Sequence, residues 1–101
     1  MAATFIGEPS IRFRRKAGWN HDLSTVDFAA DVLDAEGRKP VVCRVTREAL
    51  EDRLQLAGEF EPLDLFARLK SEIHAVAGGK MMAGEFEPDG SVLVRSQDLN
   101  G

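Results

Sequence analysis

The stretch Ser24–Asp34, "STVDFAADVLD", decides the fold. Its apolar residues fall at every second position: Val26, Phe28, Ala30 and Val32. Asp27, Ala29 and Asp31 occupy the positions between. Successive side chains of a strand point to opposite faces, so this pattern predicts a strand with one face in a core and one in water.

The neighbouring segments repeat the pattern. "SIRFRR" before it places Ile11 and Phe13 on one side and Arg12 and Arg14 on the other. "VVCRVT" after it is β-branched and places Val41, Cys43 and Val45 together. The joining segments read as turns. "KAGWNHD" is polar apart from Trp19, and "AEGRKP" contains Gly37, free to take positive φ, and Pro40, which bounds the third strand. Residues Met1–Pro9 show no period and read as a loose lead-in, so residues 10–99 form the domain.

Helical spacing begins at Thr46. Its hydroxyl suits an N-cap, and Glu48 sits where a carboxylate meets the helix dipole. Ala49, Leu50, Leu54 and Ala57 fall at helical spacing and give a short amphipathic helix over Arg47–Leu56. Pro62 opens a longer one, with Phe66, Leu69, Ile73, Val76, Ala77 and Met81 as its apolar stripe. Gly78-Gly79 falls inside that stripe, and the helix is expected to run through it to about Met82, a break at Gly78 being the alternative. "EPDGSVLVRS" predicts a tight turn and a last strand with Val92 and Val94 inward and Leu93 and Arg95 on the other side. The expected architecture is therefore α+β: a single domain in the order β-β-β-α-α-β, with an antiparallel sheet of about four strands and two helices packed on one face.

"AGEFEP" occurs twice, at Ala57–Pro62 and Ala83–Pro88. Each copy follows a predicted helix. Gly58 and Gly84 are expected to be left-handed closing residues, with Phe60 and Phe86 folding back onto the core. Glu59, Glu61, Glu85 and Glu87 do not have the spacing of a calcium loop.

Bulk properties bound the function. The 101 residues suffice for one core. Thirteen basic and seventeen acidic side chains give a net charge of -4, against a general binder of nucleic acid or anionic membrane. No apolar run reaches membrane-spanning length, and the start lacks a signal-peptide pattern. Cys43 is the only cysteine, so no intrachain disulfide forms, and a cytoplasmic location is expected. His21, His74 and Cys43 stand at unrelated spacings, and no nucleophile elbow or phosphate loop is present. No metal or cofactor is expected, and no catalytic residues are identified. Strand alternation places Cys43 in the core.

The run from Ile11 to Leu99 resembles a bacterial family of small proteins known as a domain of unknown function, DUF1488. The resemblance rests on "IRFRR", "VDFAADV", "VVCRVTREALEDRL", "PLDLFARLKSEI" and "GSVLVRSQDL". The chain departs from the family pattern at Leu69-Lys70, where that pattern has His-Arg. The resemblance implies a compact α+β bacterial protein and implies no activity.

One surface stands out. Arg12, Arg14, Arg44 and Arg95 project from the outward face of the sheet, with Trp19 at its rim. These five residues are the candidate interaction surface. A cationic face with a stacking aromatic suits single-stranded nucleic acid. Asp27 and Asp31, however, project from the strand between, which favours a ladder of cross-strand ion pairs. Trp19 reads equally as a contact anchor or as a cap on the end of the core. The expected function is a non-catalytic protein acting by protein–protein contact, with an unknown partner or a second copy in a homodimer. Weak binding of nucleic acid or an anionic ligand through the arginine face is the alternative. An enzyme of unidentified class ranks last.

Overall fold

The computed structural model describes residues 9–55 and 61–100. Three long strands come first: β1 (Ser10–Asn20), β2 (Thr25–Asp34) and β3 (Gly37–Thr46). Two helices follow, α1 (Arg47–Leu54) and α2 (Pro62–Ala83). A short strand β4 (Val92–Val94) and a final helix α3 (Ser96–Asn100) close the chain. The α+β domain and the order of its first six elements follow the pattern read from the sequence. Of the lead-in, Met1–Glu8 lie outside the described residues.

The sheet runs β1-β2-β3-β4. Val26, Phe28, Ala30 and Val32 of β2 are buried, as the alternation requires. Val41, Cys43 and Val45 of β3 and Val92 and Val94 of β4 share that face. Leu65, Phe66, Leu69, Ile73, Ala77 and Met81 of α2 cover it, with Ala49 and Leu50 of α1. Burial of these apolar side chains, each worth roughly 1.5–3 kcal/mol for a Val, Leu, Ile, Phe or Met, holds the two layers together.

Strand β4 pairs with β3 in parallel, not antiparallel. The direction of α2 explains this. Phe66 packs near Phe28, His74 lies on Phe13, and Gly78 approaches Ile11. Phe13 and Ile11 pair with Ala30 and Val32, so α2 advances along the sheet from Phe28 toward Val32. It thus runs opposite to β3 and delivers the chain to the end where β3 begins. The next strand can then only run alongside β3 in the same direction.

Other differences are local. β1 continues through the expected turn as far as Asn20, so Trp19 belongs to a strand. It continues because the register shifts between Phe13 and Ala17, which pair with Ala30 and Phe28. Three residues of β1 thus face one of β2, and the shift keeps Ala17 and Trp19 on the core side. Pro40 lies inside β3 rather than before it. β4 reaches only Cys43–Val45, so at Pro40 β3 has a strand on one side only among the described residues, where a missing N–H is tolerated.

Helix α1 begins as expected, with the Thr46 hydroxyl accepting from the Ala49 amide at 3.1 Å. It closes at Gln55, left-handed at φ 55°, three residues before Gly58. Gly58 is therefore not its closing residue, and the rest of the first hexapeptide's expectation lies outside the described residues. The second copy behaves as expected. Gly84 is left-handed at φ 74°, its N–H reaching the carbonyls of Lys80 and Met81, and Phe86 packs against the core. Helix α2 runs unbroken through Gly78-Gly79. Helix α3 is an addition to the expected order. The Asp98 carboxylate accepts from the Arg95 amide at 2.8 Å, half of a capping box, and ties to Lys80 at 3.2 Å.

Candidate functional site

The helices cover one face of the sheet and leave the other uncovered among the described residues. On the uncovered face the outward positions of β1, β2 and β3 alternate in charge. Arg14 donates two hydrogen bonds to Asp31, from Nε to Oδ2 at 3.0 Å and from Nη2 to Oδ1 at 2.7 Å. Arg38 stands 3.5 Å from the same carboxylate. Arg14's hydrogen bonds hold the Asp31 carboxyl below its ordinary range, and Arg38 and Arg12 add to the effect. Arg12 pairs with Asp31 in the strand register.

Arg44 occupies the middle of the face. It lies 3.4 Å from Asp27 across β2 and 3.5 Å from Asp89 in the turn before β4. Asp27 also accepts from Thr25 Oγ1 at 2.7 Å and Asn20 Nδ2 at 2.9 Å. Asp89 is held below the ordinary carboxylate range by hydrogen bonds from the Ser91 hydroxyl and amide, with Arg44 contributing. Arg95 approaches Glu87 at 3.5 Å. Thus Arg14, Arg44 and Arg95 each have a carboxylate partner, and strand alternation had indicated those partners for the first two.

Trp19 does not join this face. It pairs with Val26, which is fully buried, and packs on the opposite side against the core. The Arg47 guanidinium lies 6.0 Å from the centre of its ring, a cation–π distance. The tryptophan closes one end of the core. Its expected position at the rim of the arginine surface is corrected: β1 continues to Asn20, and period-two alternation keeps Trp19 on the same side as Ile11 and Phe13, because the two extra residues are an even number and leave the phase unchanged.

The sequence pattern did not reveal the groove beside Arg44. It has a volume of about 390 Å³, and its walls include Leu23, Thr25, Thr46, Pro88 and Leu93. A smaller hollow of about 180 Å³ adjoins it at Pro40, Val42 and Gly90. Val42 and Leu23 are 47% and 55% exposed, so the groove has an apolar rim. The turn Glu87–Gly90 builds its far wall, and only tertiary pairing brings that turn to Arg44. The arrangement offers shape, aliphatic contact and a charge held between carboxylates.

The groups that could do covalent chemistry lie elsewhere. Cys43 is fully buried, and burial pushes its thiol up to about 12. His74 lies between the layers on Phe13, where burial lowers its pKa and Lys70 lowers it further. Among the described residues, no three His, Cys, Asp or Glu side chains gather as a metal site. No helix among them is long and apolar enough to cross a membrane.

The sequence profile of a protein of unknown function, DUF1488, matches residues 11–94. The chain belongs to the DUF1488 family. A crystal structure of a DUF1488 protein of unknown function from Shewanella loihica PV-4 shares the fold, with a TM-score of 0.75 at 22% identity. The likeness covers 84% of this chain and 91% of that one. No curated protein matches the sequence. The DUF1488 assignment agrees with the resemblance carried by the strand and helix motifs, and it supplies no activity.

Proposed function

We propose that this DUF1488 protein is a non-catalytic cytoplasmic protein that acts by protein–protein contact through the uncovered face of its sheet. The groove beside Arg44 carries this reading. Apolar surface ringed by satisfied polar groups is the usual anatomy of a protein contact. Leu93, Val42 and Pro40 supply aliphatic area, and the Arg44 pairs supply orientation. A second copy of the chain or a different protein would bury the same area. The cytoplasmic placement is supported by the lone, free and buried cysteine.

The test compares wild type with Val42→Glu, a charge set on the exposed rim. Light scattering reads self-association, and affinity capture from the native cell followed by mass spectrometry reads other partners. The reading requires an assembly that Val42→Glu abolishes while the fold persists. Identical masses and identical captured proteins for both chains would refute it.

The arginine face supports a second reading, binding of nucleic acid or an anionic ligand, because Arg12, Arg14 and Arg38 converge on one carboxylate. The carboxylate partners of Arg14, Arg44 and Arg95 weigh against it. Retention on single-stranded DNA at low salt, falling steeply as salt rises, is its signature. No retention at low salt ends it.

A further inference from the structure

Strand β1 is the outer strand of the sheet, eleven residues long, with a strand partner on one side only among the described residues. An outer strand of that length offers its free N–H and C=O groups to any extended chain, above all another copy of itself. The opposite outer strand, β4, has three residues and turns at once into α3, so it offers little. The hazard lies at β1.

We propose that the irregularity at Arg14-Arg15-Lys16 is a built-in block against edge-to-edge pairing of two copies. Between Phe13 and Ala17 three β1 residues span the length of one β2 residue, Ala29. The two extra residues bend the strand, increase its local twist and divide the edge into Ser10–Phe13 and Ala17–Asn20. Each piece has the length of four residues only, so a partner strand gains a short ladder rather than an eleven-residue one. All three residues of the break are cations with exposed side chains. In a two-fold antiparallel pair of β1 strands centred on the break, these cations would face their own copies, and like charges directly opposite each other destabilise a sheet. Arg14 is neutralised by Asp31, whereas Arg15 and Lys16 have no ion pair with a described residue. The break also opens a hollow of about 490 Å³ between β1 and β2, lined by Arg14, Lys16, Gly18, Asp27 and Ala29, so the outer strand departs from regular pairing at this point.

The phase of the strand supplies a clean test. Removing Arg15 and Lys16 leaves Ile11, Phe13, Ala17 and Trp19 on the core side and places Arg14 opposite Ala29. The shortened chain therefore keeps its core and gains an unbroken edge. Sedimentation of this deletion variant over a range of concentrations should show a dimer or larger assembly absent from wild type. Hydrogen exchange should show protection of β1 amides rising with concentration, which separates edge pairing from contact through the sheet face. A second variant, Arg15→Thr with Lys16→Thr, keeps the break and removes its charge, and it decides the matter if the deletion fails to fold. Association through β1 in either folded variant supports the block. The proposal is overturned if every folded variant keeps the wild-type mass, or if wild type itself shows concentration-dependent protection of β1.

Discussion

The imidazole of His74 lies flat on the ring of Phe13, with centroids 3.9 Å apart and planes inclined by 9°. Phe28 and Phe66 complete the surroundings at 5.7 and 6.3 Å. This joins helix α2 to the outer strand β1 through a titratable group in an aromatic nest. Nε2 is buried with no hydrogen-bond partner among the described residues. Charging this ring requires desolvation, which lowers its pKa.

A pH dependence follows. The unfolded chain takes up the His74 proton near its ordinary value of about 6.5, while the folded chain resists until a lower pH. Between those values the unfolded state binds more protons, so stability falls as pH falls through that window. It levels off below the folded value. Urea unfolding at a series of pH values should show this loss, and His74→Phe should remove most of it. An unchanged slope in the variant would show that other groups are responsible. The Asp31 carboxyl, held low by Arg14, titrates in a separate and more acidic range, where its protonation weakens the ion pair.

Cys43 should be inert while the protein is folded. Its side chain is fully buried on the helix-covered face of β3, and burial pushes its thiol up to about 12. A thiol reagent at about pH 8 should react roughly a thousandfold more slowly with the native chain than with the chain in denaturant. Rapid native labelling would show a path to the sulfur that the packing denies.

The N-cap of α1 gives a local stability test. Thr46→Ala removes the acceptor of the Ala49 amide and should cost about 1 kcal/mol, with Thr46→Ser retaining most of the stability. Equal stability of all three chains in chemical denaturation would show that β3, not the cap, fixes the start of the helix.

The glycines of α2 divide by conformation. A Cβ at Gly79 meets no described residue within 4 Å, so Gly79→Ala should stabilise by about 1 kcal/mol through helix propensity. At Gly78 a Cβ would meet Ile11 Cδ1 at 3.9 Å, an ordinary contact, so among the described residues neither glycine is needed for a close approach. Gly84→Ala should destabilise by about 1 kcal/mol, because φ there is 74°. Thermal melts of the two variants should move in opposite directions. A shift of both in one direction would contradict the assignment of the helix end.

Local chemistry is legible in the chain. The period-two alternation of β2 selects its buried face, the hydroxyl of Thr46 fits a cap, and Gly84 fits a left-handed end. The Asp27 and Asp31 positions follow from the same alternation and indicate that Arg14 and Arg44 would be paired. Such features depend on residues within a turn or on the neighbouring strand of a hairpin. By contrast, the strand beyond Arg14 reads as a turn, because Arg15 sets a charge where the alternation calls for an apolar residue. Only the ladder to β2 shows that the strand continues to Trp19, in phase with Phe13.

The sequence by itself determined the α+β class, the buried stripe, the family and the inward place of Cys43, because each rests on periodicity or motif along a short span. Tertiary structure alone decided the parallel direction of β4, the groove beside Arg44 and the extension of β1 as far as Trp19. Those depend on the path of α2 across the sheet and on a register set by packing between segments far apart in the chain, and neither leaves a periodic trace in the residues.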